Sequence, residues 1–182
     1  PQLLGDLGVK RLAFDAHASQ PALVGTADIP ERALIDGLLA LSNNPDARPR
    51  RLVEYLSERA GLLLPRGNSV YTFPHRTFQE YLAACHLTDT DFPYTLADLA
   101  RADPQRWREV ALLAGAKAGR GTPSAIWSLA DALCFREADD PVCSDADLWG
   151  AQLAGQALAE NVAPAQTSPR NAAKRERVRD GL

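Results

Sequence analysis

A mainly α-helical fold is predicted, in which helices and a β-hairpin build a first domain over residues 1–87 and helices alone build a second over 88–182. Three observations lead there. Apolar residues recur at helical spacing in several blocks, two short strand-like runs flank a cluster of turn residues, and three more helical blocks follow beyond residue 88.

From Leu3 to about Ala18 the residues Leu4, Leu7, Leu12, Ala13 and Phe14 follow a helical period, although Gly5 and Gly8 weaken the first turns. Ala22 to Thr26 reads as extended, and Asp28-Ile29-Pro30-Glu31 as the start of a second helix that runs to about Leu41. That helix is expected to bury Leu34, Ile35, Leu38, Leu39 and Leu41. Ser42-Asn43-Asn44-Pro45-Asp46 has the composition of a loop. A third helix from Arg50 to Ala60 carries Leu52, Val53, Leu56 and Ala60 on one face, and Gly61 ends it. Leu62-Leu63-Leu64 and Val70-Tyr71-Thr72-Phe73 then flank Pro65-Arg66-Gly67-Asn68-Ser69, which is hairpin chemistry. Three helices followed by a hairpin are ordered as in a winged helix, with a fourth helix spanning Phe78 to about Leu87.

Asp89 to Asp103 is mixed in character. Three helical blocks come next, marked by Trp107, Val110, Ala111 and Ala114, by Ile126, Trp127, Ala130 and Leu133, and by Trp149, Leu153, Ala154, Ala157 and Leu158. Their apolar faces predict packed antiparallel helices without sheet, an arrangement that could open a solenoid although no repeat period is established. All three tryptophans fall on these faces and are expected to pack between helices.

The net charge of -3 and a pI near 5.6 exclude a global field drawing the chain to nucleic acid or anionic membrane. Cys85, Cys134 and Cys143 form no C-x-x-C pair, and no apolar run is long enough to span a bilayer, so a reducing, cytoplasmic setting without membrane contact is expected. Methionine is absent and the chain opens inside a periodic segment, so it reads as a piece of a longer polypeptide.

The most informative stretch is Phe73-Pro74-His75-Arg76-Thr77-Phe78-Gln79-Glu80-Tyr81-Leu82-Ala83-Ala84. Thr77 and Glu80 have the spacing of a capping box, which would start the helix at Thr77. Phe78, Tyr81, Leu82 and Cys85 share one helical face and predict the buried stripe, leaving Arg76, Gln79 and Ala83 elsewhere. Pro74 restricts its own φ and pushes Phe73 to extended geometry, so His75 is held just ahead of the helix. An imidazole there can donate to an anion.

This stretch resembles the motif of NACHT-family STAND NTPases, Phe-x-His-x-Ser/Thr-Phe-Gln-Glu-Phe/Tyr-Leu-Ala-Ala, which follows the wing in bacterial defence proteins and animal NOD-like receptors. The resemblance extends over about Leu3 to Leu87. It implies a regulatory winged helix in which His75 contacts the β-phosphate of ADP in a closed, inactive state. It further implies an upstream NTPase domain in the same chain holding ADP or ATP with Mg, and a homo-oligomer in the active state, with a role in defence signalling. The chain itself contains no G-x-x-x-x-G-K-[ST] loop, so ATP hydrolysis is not expected of it and no cofactor is expected within it.

Other residues support weaker readings. Arg48, Arg50 and Arg51 begin the third helix, where a winged-helix regulator would contact duplex DNA, but Glu54, Glu58 and the net charge weigh against it. A helical scaffold for protein recognition is the third reading. Cys85 with His86, Cys134 and Cys143 fits no zinc spacing. The acids Glu137, Asp139, Asp140, Asp145 and Asp147 lack the pattern of an EF-hand and read as a solvated loop. The basic tail Arg170, Lys174, Arg175, Arg177 and Arg179 reads as the solvated start of another helix, and His17 as a helix-end residue.

Overall fold

The computed structural model describes residues 2–40, 48–134, 144–162 and 176, with the backbone alone for residues 2–7, 40 and 59. The loop at 42–46, Leu41, Glu137, Asp139, Asp140, Cys143 and the basic tail lie outside the described residues, as do the side chains of Leu4 and Leu7. The chain divides into two compact units, Pro1–His86 and Leu87–Leu182.

In the first unit, α1 (Gln2–Ser19) buries Val9, Leu12, Ala13 and Ala16, an i, i+3, i+4, i+7 row that forms one helical stripe. Phe14 lies off that row and rests against His86, with ring centroids 5.1 Å apart. β1 (Asp28–Pro30) follows, then α2 (Glu31–Ala40). The expected helix start at Asp28 is thus corrected, and so is the extended reading of 22–26. Asp28 to Pro30 pair in the sheet instead, and Pro30, which has no N–H to give, sits on an edge strand. α2 buries Leu34 and Leu38, whereas Leu39 is 47% exposed because it lies about 100° further around the helix than Leu38.

α3 (Pro49–Glu54) carries Pro at its first turn and continues into a π-helical turn, Tyr55–Arg59, closed by the Ala60 N–H donating to the Tyr55 carbonyl at 2.9 Å. Gly61 adopts φ +61, a left-handed value that lets the Leu62 N–H turn back to the Leu56 carbonyl at 2.9 Å. β2 (Leu64–Pro65) and β3 (Val70–Thr72) make the wing, with Arg66 N–H bonded to Val70 across the turn. The sheet is antiparallel in the order β1-β3-β2, with Asp28 and Leu64 flanking Thr72 on either side. Ile29, Leu34, Val53, Leu56, Leu63 and Phe73 bring sheet and helices into one core. α4 (Arg76–Asp89) leaves the wing.

The second unit contains α5 (Tyr94–Ala102), α6 (Pro104–Gly121), α7 (Pro123–Leu133) and α8 (Asp145–Asn161). The three expected helices are present, and no strand occurs among the described residues of this unit. α5 occupies the segment read as mixed. It is short and buries mainly small residues, Leu96, Ala97 and Ala100, so its periodicity is faint in sequence. Every pair among these four helices is in contact, which makes a closed group and not a row in which only neighbours touch. The faces read from α6 and α7 are all buried, Trp107 and Trp127 included. Trp149 is the exception. It is 45% exposed, because Asp147, Gly150, Leu153 and Ala154 supply the inward face of α8 in its place.

Gly150 marks the closest crossing, since a Cβ there would overlap the backbone carbonyl of Leu133 at the end of α7. Backbone cannot swing aside as a side chain can. Gly150→Ala is therefore expected to destabilise the second unit by about 1 to 3 kcal/mol, the usual range for overpacking. Gly121→Ala, where nothing lies within 4 Å, should be neutral or mildly stabilising. Urea unfolding followed by helical circular dichroism compares the two, and equal midpoints would contradict this account of the crossing.

Candidate functional site

The end of the wing and the first turns of α4 carry the sequence motif, and the structure divides its residues into two sets. Phe73, Gln79, Glu80, Ala83 and Ala84 are buried. His75, Thr77 and Tyr81 are exposed.

Gln79 is fully buried, and its bonds fix which way its amide points. Its Oε1 accepts the Ala27 N–H at 2.9 Å, which leaves Nε2 facing Gln20 Oε1 and His17 Nδ1, each at 3.4 Å. Gln20 is oriented in turn by donating from Nε2 to the carbonyls of Val24 and Gly25. From the wing, the Thr72 hydroxyl donates to the Ala27 carbonyl at 3.0 Å and pairs with the Thr26 hydroxyl at 2.6 Å. Both backbone polar groups of Ala27 are thereby held by side chains, one from α4 and one from β3. The connection between α1 and β1 is tied to both elements.

Gln79→Leu would orphan the Ala27 N–H in a buried setting, a loss of about 1 to 3 kcal/mol. Thermal unfolding tests this, and an unchanged midpoint would show that the cluster contributes nothing.

Glu80 is 4% exposed and accepts from Arg76 Nε at 2.7 Å within the same helix. The expected capping box does not form. α4 begins at Arg76, which places Thr77 at its second residue, and Glu80 is turned to Arg76. The first turn is closed by the His75 carbonyl, which accepts the N–H of Phe78 at 3.1 Å and of Gln79 at 3.2 Å. The expected stripe is also rotated. Tyr81 is 42% exposed, Phe78 and Leu82 are half-buried, and Gln79 and Ala83 lie fully inside. α4 turns its small side to the interior, where alanines permit close approach, and leaves the larger Tyr81 outside.

The remaining candidates are dispersed. His17 ends α1 as expected, but it is buried within the Gln79 cluster. Cys85 is buried, His86 is half-buried and Cys134 caps α7 with partial exposure. Among the described residues no group of three or more His, Cys, Asp or Glu side chains converges as metal ligands, and no helix is long and apolar enough to cross a membrane. Arg48, Arg50 and Arg51 are exposed at the start of α3.

Asp145 and Asp147 are not loop residues but form the first turn of α8. Ser144 and Asp147 make the reciprocal capping box that Thr77 and Glu80 do not. Asp147 is 8% exposed, accepts the Ser144 N–H at 2.9 Å, and pairs with Arg101 of α5. The S-x-x-D spacing was the signal for this site.

Helices packed on a three-stranded antiparallel sheet whose last two strands form the wing define the first unit as a winged helix. Residues 34–87 match the family of the winged helix-turn-helix domain C-terminal to NACHT, so this segment is a NACHT-associated winged-helix domain, distinct from the catalytic NTPase domain of such proteins. α1 and β1 precede the matched span yet supply a strand and part of the core. No curated protein and no solved structure matches the chain significantly.

Proposed function

We propose that this chain is the regulatory portion of a NACHT signalling NTPase, and that His75 senses the nucleotide held by an NTPase domain upstream in the same polypeptide. The observation carrying this reading is the division of the motif: Gln79, Glu80, Ala83 and Ala84 serve the fold, whereas His75 stands exposed at the head of α4. Among the described residues no side-chain contact of the fold calls for an imidazole there.

An exposed imidazole is suited to a single hydrogen bond with a phosphate oxygen. The neighbouring guanidinium of Arg76 is already paired with Glu80 and is not a competing ligand. The rest of the nucleotide site, with Mg, belongs to the upstream domain, and ADP or ATP is the cofactor of the parent protein. In the closed state His75 donates to the β-phosphate of ADP. Loss of that bond on nucleotide exchange favours the open state, which assembles as a homo-oligomer and signals in cytoplasmic defence.

His75→Ala removes a contact made only in the closed state. A hydrogen bond to a charged group contributes about 1.5 to 3 kcal/mol, so the opening constant should rise roughly ten- to hundred-fold. Sedimentation of the full-length protein without its trigger should then show more oligomer. An unchanged distribution would count against His75 as the sensor.

A further inference from the structure

In the second unit the ends of three helices enclose a cavity of about 300 Å³, bounded by Gly119 of α6, by Ser124, Ile126 and Trp127 of α7, and by Asn161 with Val162 at the end of α8. A volume of this order suits a small molecule. Its inner wall is apolar, since Ile126, Trp127 and Val162 are buried, whereas Ser124 is exposed at the mouth. Among the described residues no charged side chain lines it.

Two donors that border the cavity have no acceptor among the described residues. Trp127 is 3% exposed, yet its indole N–H meets no protein acceptor. The second is the backbone N–H of Ser124. Thr122 offers α7 no side-chain cap, and its carbonyl accepts the N–H of Ala125 at 2.8 Å, which leaves that of Ser124 over. A buried N–H is almost always satisfied, so where the protein supplies no acceptor the adjoining space must. Ser124 and Trp127 are three residues apart and stand one above the other on one face of α7. Asn161 turns its amide N–H to the Ala157 carbonyl of its own helix, so the free donors of the site are those of α7.

We propose that this cavity binds a small organic acid, with its carboxylate on the first turn of α7 and its apolar body against Ile126, Trp127 and Val162. Two carboxylate oxygens match two donors. With no cation in the lining, the uncapped N-terminus of α7 supplies the positive end that favours an anion. Inorganic phosphate would leave the apolar wall uncovered, and an organic cation would meet the positive end of the helix.

The test is a titration of the isotope-labelled chain with phenylacetate and with hexanoate, followed by nuclear magnetic resonance at the indole N–H groups. The chain holds three, of Trp107, Trp127 and Trp149, and Trp127→Phe identifies the resonance of Trp127 by its loss. At least one acid should move that resonance downfield with a dissociation constant of about 1 mM, and leave that of the outward-facing Trp149 in place. Gly119→Leu should abolish the shift, because a Cβ at Gly119 comes no closer than 3.9 Å to Ile126 and the rest of the side chain fills the cavity. Helical circular dichroism checks that this variant folds. Trp127→Phe keeps an aromatic wall without the donor and should weaken binding, read from the ligand's own resonances, roughly ten-fold. Neutral phenylacetamide should bind the unaltered chain roughly ten-fold more weakly than phenylacetate, since bonds to an ionised acceptor are the stronger. A Trp127 resonance that neither acid moves would overturn the proposal, as would undiminished binding by a folded Gly119→Leu variant. Equal affinity for phenylacetamide and phenylacetate would refute the acid as the ligand class, and that comparison needs no variant to fold. None of these outcomes depends on His75 or on a nucleotide.

Discussion

Truncation of Phe73 to alanine is expected to destabilise the winged helix by about 3 to 5 kcal/mol, the range for deleting a fully buried aromatic side chain. Phe73 is 1% exposed and stands where the wing meets the core, beside Ile29, Leu34 and Leu63 in the same cluster. Its ring lies 6.3 Å from that of Phe78, tilted by 59°, so the two aromatics share a contact. Phe78 is only half-buried. Phe78→Ala should accordingly cost less, about 1 to 2 kcal/mol, in proportion to the apolar area it hides. Urea titrations of both variants measure the difference. A larger loss at Phe78 than at Phe73 would mean that the buried face of α4 has been assigned wrongly.

Asp147→Ala should be comparably severe in the helical unit. The carboxylate accepts from Arg101 on α5 and from both the N–H and the hydroxyl of Ser144, so one truncation removes the tie between helices and half of the α8 cap. Arg101 is only 20% exposed and would lose the carboxylate that ties α5 to α8. Breaking such a pair by deleting one member costs about 3 to 5 kcal/mol. Asp147→Asn keeps an acceptor for Ser144 and should fall between the two. Helical circular dichroism against urea reads the loss, and a fully stable Asp147→Ala variant would show that α8 is held by apolar packing alone.

The order of elements in the winged helix was legible because local chemistry and global packing agree there. Gly61, the Pro65 to Ser69 turn and the Leu52-Val53-Leu56 row each state their own structure. Pro30 misled, since proline suits a helix start and an edge strand alike, and only pairing with Val70 decides between them. The motif was legible as a unit, but its orientation was not. Size and apolarity favoured Phe78, Tyr81 and Leu82 as the inward face, whereas the partners of Gln79 lie 52 to 62 residues earlier in the chain and cannot be read from helical period. Asp147 was hidden for a similar reason, as Arg101 lies 46 residues away and the intervening acids suggest solvent. Of the candidate site, the exposure of His75 is consistent with its position before α4.

The proposal that the inward half of the motif holds the fold while His75 on its outward half meets nucleotide is tested by measuring two quantities on the same full-length variants: equilibrium ADP affinity and thermal unfolding. His75→Ala should weaken ADP binding roughly ten- to hundred-fold while changing stability by no more than about 0.5 kcal/mol, as a surface substitution does. Gln79→Leu should lower stability. ADP affinity unchanged by His75→Ala would contradict the account, whatever the substitution did to the melting temperature.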